Sequence, residues 1–237
     1  MIQTYSIILW RKPEKEEISF EEIANRIYDS LCVLQKYDEI FRPNYLTVKK
    51  KSDASKFDWN YKSFSEKLQN EVMKIGKKEI PELGYSLSFF SSLNDEESSG
   101  ISLRVGNKDN RFVNSLVINL PNSIEYSEEI NSNMLKTLFY ELVNSFEPYW
   151  GCISSNQFKM DNLKYLSGNT PLYLNWLNYW SAEVESTVSV AFFEKIKHMT
   201  DISYKDGVLQ ISKRALDCRN DKDMEYFKNI NHVFLES

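Results

Sequence analysis

Three runs, Leu83-Gly84-Tyr85-Ser86-Leu87-Ser88-Phe89-Phe90, Ile101-Ser102-Leu103-Arg104-Val105 and Leu116-Val117-Ile118-Asn119-Leu120, decide the fold class. Each is rich in β-branched, aromatic or leucine side chains, as strands are. The first two are joined by Asn94-Asp95-Glu96-Glu97-Ser98-Ser99-Gly100, an acidic connection. The last two are joined by the turn-rich Gly106-Asn107-Lys108-Asp109-Asn110. Successive strands with short polar connections predict an antiparallel meander.

Helical signals flank the meander. Upstream, Ile18-Ser19-Phe20-Glu21-Glu22-Ile23 is written as a capping box, with Ser19 as cap and Glu22 three residues on. Ile18 and Ile23 stand at staple positions. Ile23, Ile27, Leu31 and Leu34 then recur at helical spacing, predicting a helix to about Tyr37. Tyr5 to Trp10 and Tyr45 to Val48 read as strands. Phe64, Leu68 and Val72 read as a short helix stopping near Gly76.

Downstream, Ser127 is placed to cap a helix carrying Glu128 and Glu129 in its first turn. Its expected buried stripe is Ile130, Met134, Leu138, Leu142 and Phe146, and Pro148 stops it. Trp150 to Ser154 reads as extended, Leu172 to Trp180 as ambiguous, and Phe192 to Ile196 as a short helix. Asp206-Gly207 between two apolar runs is a two-residue hairpin signal. A last helix carries Met224, Phe227, Ile230 or Asn231, and Phe234. The sum is α+β, a largely antiparallel sheet with helices packed on one face. The expected organisation is one domain over 1–237, with a subdivision near 122–127 as the alternative.

The 237 residues suffice for a sizeable core, at 42% hydrophobic and 27% charged. Net charge is −5, without the basic footprint of a nucleic-acid binder. That balance suits ordinary solubility and also a basic partner. Lys49-Lys50-Lys51 stands alone and reads as a solvated loop. Cys32, Cys152 and Cys218 are odd in number and far apart, which argues against a disulfide framework or zinc site. Cys32 and Cys152 are read as small core residues. The N-terminus lacks the basic leader and long apolar run of a signal peptide, and no stretch reaches the roughly 18 apolar residues that cross a membrane. The expected location is the cytoplasm.

No catalytic motif is legible. His198 and His232 have no ligand neighbours at metal spacing, and the nucleophile elbow, P-loop and H-E-x-x-H patterns are missing. No enzyme, cofactor or metal is expected. Asp95, Glu96 and Glu97 form a compact carboxylate run, read either as a solvated loop or as a steering surface for a basic partner.

An ordered set of features in the second half carries a resemblance. Phe146, Pro148 and Trp150 make a helix, a proline and an aromatic strand start. Trp176-Leu177-Asn178-Tyr179 is a "W-L-x-Y" stretch, followed later by Asp206-Gly207. In this order they resemble the immunity protein 52 family of bacterial polymorphic toxin systems, best over 127–237. Trp180-Ser181 departs from the Leu-Ser pair more usual there. The resemblance implies a protein that binds and neutralises a cognate protein toxin, a nuclease among the options, and catalyses nothing. It implies neither direct nucleic-acid binding nor membrane binding. It leaves oligomeric state open. An inhibitor of a host defence protein, carried by a phage or other mobile element, is the second expectation. Trp176, Tyr179 and Trp180 are toxin-anchor candidates, with an ordinary core corner as the other reading. Asp95, Glu96 and Glu97 are the steering candidates.

Overall fold

A computed structural model describes residues 4–155, 166–167, 170–171, 173–199 and 202–236. Among the described residues thirteen strands occur in chain order. They are β1 (Tyr5–Arg11), β2 (Tyr45–Leu46), β3 (Lys74–Ile75), β4 (Lys78–Glu79), β5 (Tyr85–Phe90), β6 (Gly100–Val105), β7 (Asn114–Asn119), β8 (Trp150–Ser155), β9 (Leu166–Ser167), β10 (Thr170–Pro171), β11 (Leu177–Trp180), β12 (Ser203–Lys205) and β13 (Val208–Gln210). The α-helices are α1 (Phe20–Gln35), α2 (Tyr61–Gln69), α3 (Glu129–Phe146), α4 (Ala182–Glu185), α5 (Val190–Ile196) and α6 (Asp221–Leu235).

Nine strands form one antiparallel sheet in the order β12-β13-β11-β8-β1-β7-β6-β5-β2. The meander β5-β6-β7 is there as the sequence predicts. The fold is α+β. β1 sits in the middle, between β7 and β8. Its alternation sends Ile7 and Leu9 to one face and Ser6, Ile8 and Trp10 to the other.

The Ile7 face is the core. Ile118 and Ile153 flank Ile7, and Leu116 and Gly151 flank Leu9. α1 and α3 pack on one another over this layer. Gly151 lets α3 come close: a Cβ there would lie 2.6 Å from Leu9 Cδ2 and 3.6 Å from Phe139 Cζ. α1 is held at its start by the expected capping box. The Glu22 backbone donates to Ser19 Oγ at 3.2 Å, and the Ser19 backbone to Glu22 Oε2 at 2.9 Å. These two bonds satisfy donors that a helix start otherwise leaves orphaned. On the opposite face, α5 and α6 cover the C-terminal strands. Trp180, which shares that face with Trp150 and Trp10, meets Phe193 of α5 and Phe234 of α6. Across β1, β7, β6, β5 and β2 no described helix covers that face.

Several expectations need correction. α3 buries Leu135, Leu138, Phe139, Leu142, Val143 and Phe146, while Ile130 is 76% exposed and Met134 half-buried. Ser127 does not cap α3, because its hydroxyl donates to the Glu125 carboxylate at 2.6 Å and Glu128 takes the cap position. α2 stops at Gln69; Gly76, at φ +64°, turns the small hairpin β3-β4 instead. The second strand is only Tyr45–Leu46. Cys32 is half-buried, whereas Cys152 is fully buried. Within the ambiguous stretch, Leu177–Trp180 is a strand, and Leu172 lies outside the described residues.

Candidate functional site

The acidic connection 91–99 leaves the sheet at the Ser6 end. Its own side chains hold its backbone. Ser91 N–H donates to Ser99 O at 3.0 Å and Ser99 N–H to Ser91 Oγ at 2.8 Å, closing the neck. Ser92 N–H donates to Ser98 Oγ, Asn94 N–H to Ser92 Oγ and Glu96 N–H to Asn94 Oδ1, at 3.1 to 3.3 Å. These are the turn-forming habits of serine and asparagine. Ser123 N–H donates to Glu96 O at 3.1 Å, tying the loop to the chain that leads into α3. The loop is thus ordered before any partner arrives, which lowers the entropic cost of binding.

Its carboxylates face solvent. The Asp95 side chain is 87% exposed and pairs with Lys51. Lys51 also donates to Leu93 O at 3.3 Å and lies 5.2 Å over the Phe90 ring. Such an exposed pair is worth about 0 to 1 kcal/mol, so a partner's cation can replace Lys51 at small cost. Glu96 and Glu97 are exposed, with no ion-pair partner among the described residues. Leu93 stands beside them, 52% exposed. Sequence reasoning missed Leu93; its signal was a leucine at the head of a polar loop, where no core periodicity demands one.

The aromatic candidates lie elsewhere. Trp176 is 4% exposed and its Nε1 donates to Ser212 O at 3.0 Å. Trp180 is 3% exposed, stacked on Phe234 with ring centroids 6.2 Å apart and edge-on to Phe193. Just upstream, Leu174 exchanges hydrogen bonds with Asn231 of α6, which locks this stretch into the core. Both indoles are thus buried among core side chains. Tyr179 alone keeps partial exposure, over the Asp206-Gly207 turn. β11 is four inter-strand spacings from β6, about 19 Å. The acidic loop and the aromatic stretch do not form one site.

A concave region of about 500 Å³ lies at the Trp10 end of the sheet between Arg11, Glu14, Glu147, Tyr149 and Glu183. The charges of Arg11, Lys12, Glu14, Glu147 and Glu183 are matched internally. Arg11 meets Glu147 at 3.0 Å and Glu14 at 3.5 Å, Glu14 also pairs with Arg26, and Lys12 pairs with Glu183. It reads as the polar seam that holds β1 to α1 and α3. Among the described residues no group of three or more His, Cys, Asp or Glu is placed to hold a metal ion. No described helix is long and apolar enough to cross a membrane.

No curated protein matches the chain. A solved structure of a T6SS protein of Pseudomonas aeruginosa is similar with a TM-score of 0.58 at 13% identity, over 98% of this chain and 75% of that one. At that identity the likeness is one of fold. The family model described as Immunity protein 52 matches residues 4–203, reaching far into the N-terminal half as well as the 127–237 region that carried the resemblance. The chain belongs to the immunity protein 52 family.

Proposed function

We propose that the chain neutralises one cognate bacterial toxin in the cytoplasm, by stoichiometric binding and without turnover. Its carrying observation is the acidic loop, an exposed run of carboxylates whose backbone is already fixed by five hydrogen bonds of its own. Fixed negative charge beside an exposed leucine suits a partner with a basic groove. A toxin that acts on nucleic acid needs such a groove to hold phosphates. Occupying the groove excludes the substrate, and opposite charge speeds the encounter.

The test is association rate against ionic strength, with the product of the adjacent gene as ligand. Asp95→Lys, Glu96→Lys and Glu97→Lys together are expected to slow association about tenfold at low salt and to flatten its salt dependence. Thermal stability should stay unchanged, because all three side chains are exposed. Equal rates and equal salt slopes for the two proteins remove the loop from the interface. Absence of binding by the wild type at micromolar concentration counts against the toxin reading itself.

A further inference from the structure

The open half of the sheet has a composition that solvent alone does not require. Five strands, β1, β7, β6, β5 and β2, turn thirteen positions outward there. One of the thirteen, Arg104, is charged, in a chain that is 27% charged. An outward sheet face left to water normally carries charged and other polar side chains. Here serine recurs on alternate residues: Ser86 and Ser88 on β5, Ser102 on β6, Ser115 on β7 and Ser6 on β1. Ser86 and Ser102 are exposed and the other three half-buried. Two aromatic residues border them: Trp10, packed on Trp150 at 4.5 Å, and Tyr45, stacked on Phe90 at 5.2 Å.

Depletion of Lys, Asp and Glu, with Tyr, Trp and Arg retained, is shared with the centre of protein interfaces, where serine is depleted as well. Serine with Tyr and Trp is also the chemistry of antibody combining sites. Rigid rings supply area at low entropic cost, and hydroxyls adapt their hydrogen bonds. The face is held together by its ladder, and its hydroxyls are short and in part already organised. Ser88 and Ser102 are 3.3 Å apart, and Ser6 donates to Asn119 at 2.8 Å.

From this we infer that the open face of β1, β7, β6, β5 and β2 is the docking surface for the toxin, with the acidic loop as its charged border. The inference rests on the immunity reading above and names the surface that reading leaves open. One observation selects this occupant and a second sets how much surface the interface must add. One is continuity: Lys51 touches both, lying over Phe90 of the face and pairing with Asp95 of the loop. The second is size. Four strand spacings by six residues give a footprint of about 400 Å², roughly half of the 800 Å² that a stable complex covers on each partner. The loop with Leu93 and the aromatic rim extend it towards that size. The partner must therefore bring a hydrogen-bonding surface to the serines and cations to Asp95–Glu97.

The test uses the full chain and the purified product of the adjacent gene. Ser102→Arg with Ser115→Arg places two bulky cations at the centre of the face, and Ser86→Arg alone serves as a milder variant at an exposed position. Both are checked by far-UV circular dichroism and melting temperature. Expected are native melting curves and a Kd raised roughly 100-fold or more for the double variant, mostly through faster dissociation. A smaller rise in the same direction is expected for Ser86→Arg. Wild-type affinity in folded variants overturns the surface and leaves the toxin reading standing. No binding by the wild type overturns both. Self-association of the wild type that Ser102→Arg abolishes, seen by analytical ultracentrifugation, overturns the inference by giving the face to a second copy of this chain.

Discussion

Cys152 shows how one residue's chemistry follows from its place. It lies on β8 between β1 and β11, fully buried, and burial pushes its thiol pKa well up. The thiolate is the reactive form, so the native thiol should be inert. Titration with an aromatic disulfide reagent at pH 8 is expected to leave Cys152 unmodified in the native protein and to modify it at once in urea. Rapid reaction of Cys152 in the native state, located by peptide mapping, would contradict its burial. At the same scale, Asp206 and Gly207 adopt φ of +51° and +76°, the paired positive values of a tight hairpin turn. A Cβ on Gly207 would lie 2.6 Å from Trp180 O, so glycine is needed here for space as well as for φ.

At the scale of the element, α1 and α3 differ in how well spacing locates the buried face. In α1 the residues Ile23, Ile27, Leu31 and Leu34 include one step of three, which corrects the drift of two steps of four, and all four are buried. The stripe assigned to α3 advances by four throughout. Each such step turns about 40° past a full turn, so Ile130 and Phe146 end about 160° apart around the helix. Phe146 is buried and Ile130 is 76% exposed. Leu138→Ala is therefore expected to cost about 2–5 kcal/mol, since Leu138 is fully buried in the α1–α3 layer. Ile130→Ala should cost less than about 0.5 kcal/mol. Urea unfolding of both variants checks this; equal losses would mean that the helix is turned about its axis.

For the whole molecule, the central place of β1 decides cooperativity. β1 is paired on one side with β7 and on the other with β8, so the sheet runs without a break past residues 122–127. We propose that 1–237 is one folding unit. β8 loses its partner β1 if the chain is cut there, and its exposed edge would be left unpaired. Urea unfolding followed by circular dichroism and by tryptophan fluorescence should give coincident transitions. Separately expressed 123–237 should show a narrow, unfolded proton spectrum. Two resolved transitions, or a folded fragment, would divide the molecule near 122–127.

The features that the sequence by itself determined are those written within a few residues of each other. The Ser19–Glu22 capping box, the Asp206-Gly207 turn, the meander and the α+β class all rest on local hydrogen bonds or short hydrophobic periods. The acidic loop was legible as a loop for the same reason. Only the tertiary structure decided that β1 is central, that Trp176 and Trp180 are in the core, and that no described helix covers half of one sheet face. It also brought Lys51 to Asp95 and showed Leu93 exposed beside the carboxylates. Which strands pair depends on the register between distant segments, and how deeply an indole is buried depends on everything packed around it. Neither quantity belongs to any short stretch of chain, so neither can be read from one.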